Sequence, residues 1–148
     1  MLKLQVRSYD WRFFMSINVK EVSAEALAYL GDCVLELKVR SLLVNRGIGT
    51  SGSLNRESLT YVKATAQAKA MHKILPLLTE EETAAYKRGR NLSGGNVPKS
   101  ATMSEYRAAT GMEALFGYLH LQGNLDRIDF LFSSAYSEDE ISTPCVNN

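Results

Sequence analysis

The sequence predicts an all-α fold, a single helical bundle, from three observations. Apolar residues recur at helical spacing, no segment sustains the strict alternation of a half-buried strand, and two Thr-x-x-Glu boxes, Thr79–Glu82 and Thr102–Glu105, mark helix starts. With 148 residues, 45% of them hydrophobic, the chain is long enough for one sizeable core and short enough for one domain.

The first helix follows Ser23, a good N-cap, and carries Leu27, Leu30, Val34, Leu35, Leu37, Val39 and Leu42. It runs out at Asn45-Arg-Gly-Ile-Gly49 after about six turns. Residues 47–53, rich in Gly, Ser and Thr, read as a loop. A second long helix is expected over 54–75, with the helix formers Ala64, Ala66, Ala68 and Ala70; Pro76 stops it, having no N–H to donate. Thr79-Glu-Glu-Glu82 opens a shorter helix through Ala85 and Tyr86 to Lys87-Arg-Gly-Arg90, and 91–100 is a loop. Thr102-Met-Ser-Glu105 launches the pattern Tyr106, Met112, Leu115, Phe116, Leu119, which ends at Gly123. Asn124 caps a last helix over 125–136. The division is an N-terminal extension, 1–22, a helical domain, 23–136, and a polar tail, 137–148.

The 17 basic and 16 acidic residues leave a net charge of +1, so any nucleic-acid surface must come from local clustering. Cys33 and Cys145 lie far apart without CxxC spacing, which excludes a disulfide framework and fits a reducing cytoplasm. No apolar run approaches the ~18 residues of a membrane span. The first residues mix Lys3, Arg7, Asp10 and Arg12 with apolar ones, unlike a signal or transit peptide, and Met15 offers a second start. The expectation is a soluble, cytoplasmic protein with no membrane partner.

Two acids stand out. Asp32 follows Gly31 in mid-helix, although glycine costs ~1 kcal/mol there relative to alanine and Asp is also disfavoured. Glu113 lies between Met112 and Ala114-Leu115-Phe116, with Gly111 and Gly117 on either side. A carboxylate in such surroundings is costly unless a cation receives it. Two acids on separate helices suit Mg²⁺, a hard cation held by one or two carboxylates plus water and phosphate oxygens. A solvated helix edge or a basic partner explains each acid singly, and spacing alone leaves both readings open. Glu25, seven residues before Asp32, shares its face roughly 10 Å along the axis, which is too far for one ion. Glu25 reads as a supporting or dimer-interface residue, or as a first-turn acid favourable to the helix dipole. Glu36 and Arg40 form an i,i+4 surface pair, and His72 and His120, lone helical histidines, read as structural.

The strings Ala28-Tyr-Leu-Gly-Asp32-Cys-Val-Leu-Glu-Leu37, Lys87-Arg-Gly-Arg-Asn91, Pro98-Lys99 and Tyr106-Arg-Ala-Ala-Thr-Gly-Met-Glu113-Ala-Leu-Phe-Gly-Tyr-Leu119 resemble, in order, the Mini-III ribonuclease family. These enzymes are similar to the catalytic domain of ribonuclease III without its double-stranded-RNA-binding domain. The resemblance implies that 23–136 is a ribonuclease III-type endonuclease domain, active as a homodimer. It would use Mg²⁺ to cut double-stranded RNA, leaving 5′-phosphate products, in maturing large-subunit ribosomal RNA precursors. It makes Asp32 and Glu113 the catalytic and metal-binding acids. Ala28 and Thr110 stand where full-length ribonuclease III proteins carry two further acids.

With no separate binding domain, phosphate contacts are expected from Lys87, Arg88, Arg90, Asn91, Lys99, Tyr106 and Arg107, donors suited to the backbone and 2′-hydroxyls of A-form RNA. The small residues Ala24, Ala26, Ala28 and Gly31 nominate the first helix as the dimer seam. Two other functions compete: a non-catalytic module of the same fold that binds double-stranded RNA or the ribosome, and a helical interaction protein whose acids are surface ion pairs.

Overall fold

Ten of the nineteen residues of one helix, Met103–Leu121, are buried, and the rest of the fold is arranged around it. A computed structural model describes residues 17–136. The helices are α1 (Ala24–Asn45), α2 (Ser51–Val62), α3 (Ala64–Ile74), α4 (Glu80–Arg90), α5 (Met103–Leu121) and α6 (Leu125–Ala135), with 3₁₀ turns at Val19–Glu21 and Leu75–Leu77. No strand occurs among the described residues. Helix α5 is apolar nearly all round, the pattern of a helix that must be enclosed. Helices α1, α3 and α4 enclose it, and α6 closes the end against α3 and α5.

The core joins Leu27, Leu35, Val39 and Leu43 of α1, Met71 and Ile74 of α3, Met112, Leu115, Phe116 and Leu119 of α5, and Ile128 and Leu131 of α6. Each such side chain contributes about 1.5–3 kcal/mol relative to exposure. Leu37, counted by periodicity toward the core, faces solvent: two residues past Leu35 is 200° around the helix, and Leu43 completes the buried stripe instead.

The predicted caps are present. Ser23 Oγ accepts from the Ala26 N–H at 3.1 Å, Asn124 caps α6, and both capping boxes close reciprocally. The expected single helix over 54–75 is two. Thr50 caps a start at Ser51, inside the expected loop, and the chain breaks at Lys63, extended at φ −62°, ψ 144° and without a side-chain cap. Helix α2 packs on α1 whereas α3 packs on α5 and α6, and one straight helix cannot serve both. Tertiary contacts thus override the propensity of a Gly- and Pro-free stretch.

Val19 and Val22 pack against the core, so the described part of the N-terminal extension, 17–22, is docked. The remainder of that extension with Met15, and the 137–148 tail with Cys145, lie outside the described residues. Cys33 is a free, exposed thiol on α1. Among the described residues no helix is long and apolar enough to cross a membrane.

Candidate active site

Helices α1 and α5 cross backbone to backbone, and glycine makes this possible. A Cβ on Gly31 would overlap the carbonyl oxygen of Glu113 and lie 2.8 Å from the Gly117 nitrogen; one on Gly117 would overlap the Leu27 carbonyl. The helix-breaking cost of these glycines is therefore spent on proximity. It brings the segment carrying Asp32 against the turn carrying Glu113. Gly89 makes the equivalent approach of α4 to α5, where a Cβ would meet Thr110 O at 2.8 Å.

Both acids line one cavity of about 490 Å³, walled by Ala28 and Tyr29 of α1, Ala64 and Gln67 of α3, and Tyr106 and Thr110 of α5. Glu25, Tyr106 and Thr110 also line an adjoining cavity of about 260 Å³ bounded by the 92–95 loop and Arg107. The two cavities form a groove along α5. Gly95, at φ +109°, seats the loop on Tyr106, whose ring leaves no room for a Cβ.

Asp32 is exposed and Glu113 half-buried, and neither has a hydrogen-bond or ion-pair partner among the described residues. Burial, and then the charge of Asp32, push the Glu113 carboxyl up to about 8. Burial, and then Glu36, raise Asp32. Such shifts mark a place that repels negative charge and lacks a positive one. Among the described residues no group of three or more potential metal-ligating side chains occurs. Two carboxylates on rigid helices, without nitrogen or sulfur donors, fit a hard cation that fills its remaining positions with water and substrate oxygens.

The other expected residues divide. Glu25 opens the groove and touches both cavities. Tyr106 lines both, and Arg107 the smaller. Pro98 lines the larger, with the exposed Lys99 beside it. Lys87, Arg88, Arg90 and Asn91 line neither cavity; only Gly89 of that stretch does. The Arg88 guanidinium donates to the Val22 carbonyl. Arg90 lies 5.8 Å from the Tyr86 ring centroid and donates to Asn91 Oδ1 at 3.3 Å. Gly31 packs against the α5 backbone of its own chain, so it is not free to line a dimer seam, and Ala28 is buried and lines the larger cavity.

Glu36 and Arg40 pair at 3.0 Å, and His72 Nδ1 lies 2.7 Å from the Ala68 carbonyl. Sequence reasoning missed Gln67. Its signal was a lone amide among the alanines of α3, flanked by positions that point inward.

The sequence profile of the Ribonuclease III domain matches residues 25–124. The Mini-ribonuclease 3 of Symbiobacterium thermophilum is 48% identical over 109 residues, covering 74% of this chain and 84% of that protein. The Mini-ribonuclease 3 of Desulfitobacterium hafniense is 48% identical over 113 residues, covering 76% and 71%. A crystal structure of a Fusobacterium nucleatum protein superposes with a TM-score of 0.71 at 30% identity, covering 80% of this chain and 94% of that one.

Proposed function

Because the chain belongs to the ribonuclease III domain family, and so to a group of endoribonucleases, we propose that it cuts double-stranded RNA in the α1–α5 groove with Mg²⁺ held by Asp32 and Glu113. The observation that carries this reading is the pair of acids brought together by a glycine crossing and given no cation of the chain's own. The ribosomal RNA precursor is the substrate that the resemblance suggests. The catalytic unit is 23–136, with 17–22 docked on it.

When bound, Mg²⁺ supplies positive charge at the scissile phosphate and lowers the pKa of the attacking water. Asp32 and Glu113 would hold the ion, and a cation there would favour the ionised form of Glu113 that burial and Asp32 otherwise disfavour. Tyr106 and Arg107 hold the RNA backbone beside the acids. Water attacks phosphorus in line and the bond to the 3′-oxygen breaks, leaving a 5′-phosphate and a 3′-hydroxyl.

One groove cuts one strand, and a duplex has twofold backbone symmetry, so a symmetric homodimer is part of the proposal. What supports α1 as the seam is its outer face rather than its small residues. Tyr29, Leu37 and Val44 are 82%, 66% and 62% exposed and lie within about 80° of one another around the helix. Sedimentation at micromolar concentration should show a dimer that Leu37→Glu dissociates.

The deciding experiment incubates the purified full chain with duplex RNA, with and without Mg²⁺. Cleavage that requires Mg²⁺ and is lost in Asp32→Asn is expected. A fully active Asp32→Asn protein would overturn the assignment.

A further inference from the structure

Helices α2 and α3 contribute Val62, Ala64 and Gln67 to the larger cavity that Asp32 and Glu113 also line. Of the three, Gln67 alone carries a polar side chain. It is only 3% exposed, one of two polar or charged residues buried among those described. The other, Glu82, is fully engaged by Arg127 and Thr79. The Gln67 amide has no hydrogen-bond partner among the described residues. Every fully enclosed side-chain nitrogen or oxygen in that span does have one. The Gln67 amide is therefore not fully enclosed, and the residue lines the cavity shared with Asp32 and Glu113.

A buried amide without a protein partner costs stability, since it gives up bulk water and gains nothing in return. Leucine would fill about the same volume without that cost. The amide carries both a donor and an acceptor and no charge. It therefore adds nothing to the negative field of the two acids, and it is poorly matched to the phosphate, which needs positive charge. The RNA group beside a scissile phosphate that needs a donor and an acceptor together is the ribose 2′-hydroxyl, and that hydroxyl also separates RNA from DNA.

We propose that Gln67 reads the 2′-hydroxyl of a sugar flanking the scissile phosphate and positions that sugar opposite Asp32 and Glu113. The proposal rests on the nuclease reading above. Gln67 is a positioning and specificity residue, and the acids do the chemistry.

The test is a double-mutant cycle on kcat/KM. Wild type and Gln67→Leu are each assayed with Mg²⁺ on an all-ribo duplex and on two duplexes, each carrying one 2′-deoxy sugar on one side of the cleaved bond. Wild type should lose about tenfold on one of the two deoxy substrates, the worth of one good hydrogen bond. Gln67→Leu should lose about tenfold on the all-ribo duplex and nothing further on that deoxy substrate. Its melting temperature should equal or exceed that of wild type, and Gln67→Glu should lose more than Gln67→Leu because it adds a third negative charge. Equal losses in both proteins, or no loss in wild type on either deoxy duplex, would overturn the role of Gln67 while leaving the nuclease reading intact. A wild-type protein that does not cut the all-ribo duplex would overturn both.

Discussion

Glu82 and Glu113 are the same side chain folded into the same kind of place, a helix interface around α5, and their environments treat them in opposite ways. Glu82 accepts from Arg127 Nε at 2.8 Å and Nη2 at 2.9 Å, and from the Thr79 N–H at 2.9 Å. The hydrogen bond from Arg127, foremost, holds its carboxyl below the usual range against the opposing effect of burial. Glu113 has neither a guanidinium nor a backbone donor, faces a second acid, and is held far above that range. The fold can satisfy a buried carboxylate when stability is the purpose. Leaving one unsatisfied beside another, at a crossing that only glycine permits, is what a site for an external cation requires.

The largest expected effects break the comparison at Glu113. Asp32→Asn and Glu113→Gln should each lower Mg²⁺-dependent cleavage by about 10²–10³-fold or more, since each removes fixed charge from the reacting centre. The same Glu113→Gln should stabilise the metal-free protein. The folded-state pKa of about 8 lies above the ordinary 4.5, so wild type loses stability as pH rises through that interval, whereas a neutral amide does not. Thermal melts from pH 5 to 9 should show the variant's advantage growing up to about pH 8, and added Mg²⁺ should narrow it. A Glu113→Gln protein that melts below wild type at pH 8 without metal would remove the contrast with Glu82.

Gly31→Ala comes next, because it moves the crossing rather than the charge. The added Cβ overlaps the Glu113 carbonyl, so the helices must separate, at about 3 kcal/mol or more given that backbone rather than a flexible side chain is in the way. Both melting temperature and cleavage should fall. An unchanged melting temperature would mean that the helices do not touch here.

Breaking the other side of the comparison, Glu82→Ala strands the partly exposed Arg127 guanidinium and removes the closing acid of a capping box. A loss of about 2–4 kcal/mol is expected, with kcat per folded molecule unchanged. The pH dependence has the opposite sign to that of Glu113. The depressed carboxyl contributes stability above its unfolded pKa of 4.5 and loses it as pH falls through the lower folded value. Acid melts of wild type should show a slope below about pH 4.5 that is weaker in the variant.

These two carboxylates also show what was legible in the chain. Glu82 announced itself as N3 of a capping box, a signal spanning four residues, and α4 and α5 begin at the residues those boxes indicate. Asp32 and Glu113 stood out because each sits in a helix beside glycines that propensity disfavours. The reason for those glycines is a contact between segments some eighty residues apart, which spacing alone cannot show. Arg127 as the partner of Glu82, the Val22 carbonyl on Arg88, and Gln67 in the cavity of the acids are long-range facts of the same kind. The break at Lys63 was invisible because no side chain caps it; the neighbours on either side decide it.

The smallest effects concern the basic residues, which divide as the carboxylates do into those the fold has engaged and those facing the groove. Arg107 lines the smaller cavity, and Lys99 is exposed beside Pro98, which lines the larger cavity with the acids. Arg88 is tied to the Val22 carbonyl, and Arg90 lies over Tyr86 beside Asn91. If engagement decides function, Arg107→Ala and Lys99→Ala should each weaken duplex binding alike for all sequences and reduce the salt slope of log K by about 1, with kcat at saturating RNA falling less than affinity. Arg88→Ala should leave the slope in place and cost stability instead, about 0.5–1.5 kcal/mol for one exposed hydrogen bond that docks 17–22 against α4. Lys87 has no hydrogen-bond or ion-pair partner among the described residues and serves as the control on the far side of α4: a change in slope equal to that of Arg107 would extend the RNA track past the helix end, whereas no change confines it to the groove. Equal slopes for Arg88→Ala and Arg107→Ala would show that a guanidinium held by a carbonyl still serves the phosphates, and the division drawn from Glu82 and Glu113 would not carry over to the cations.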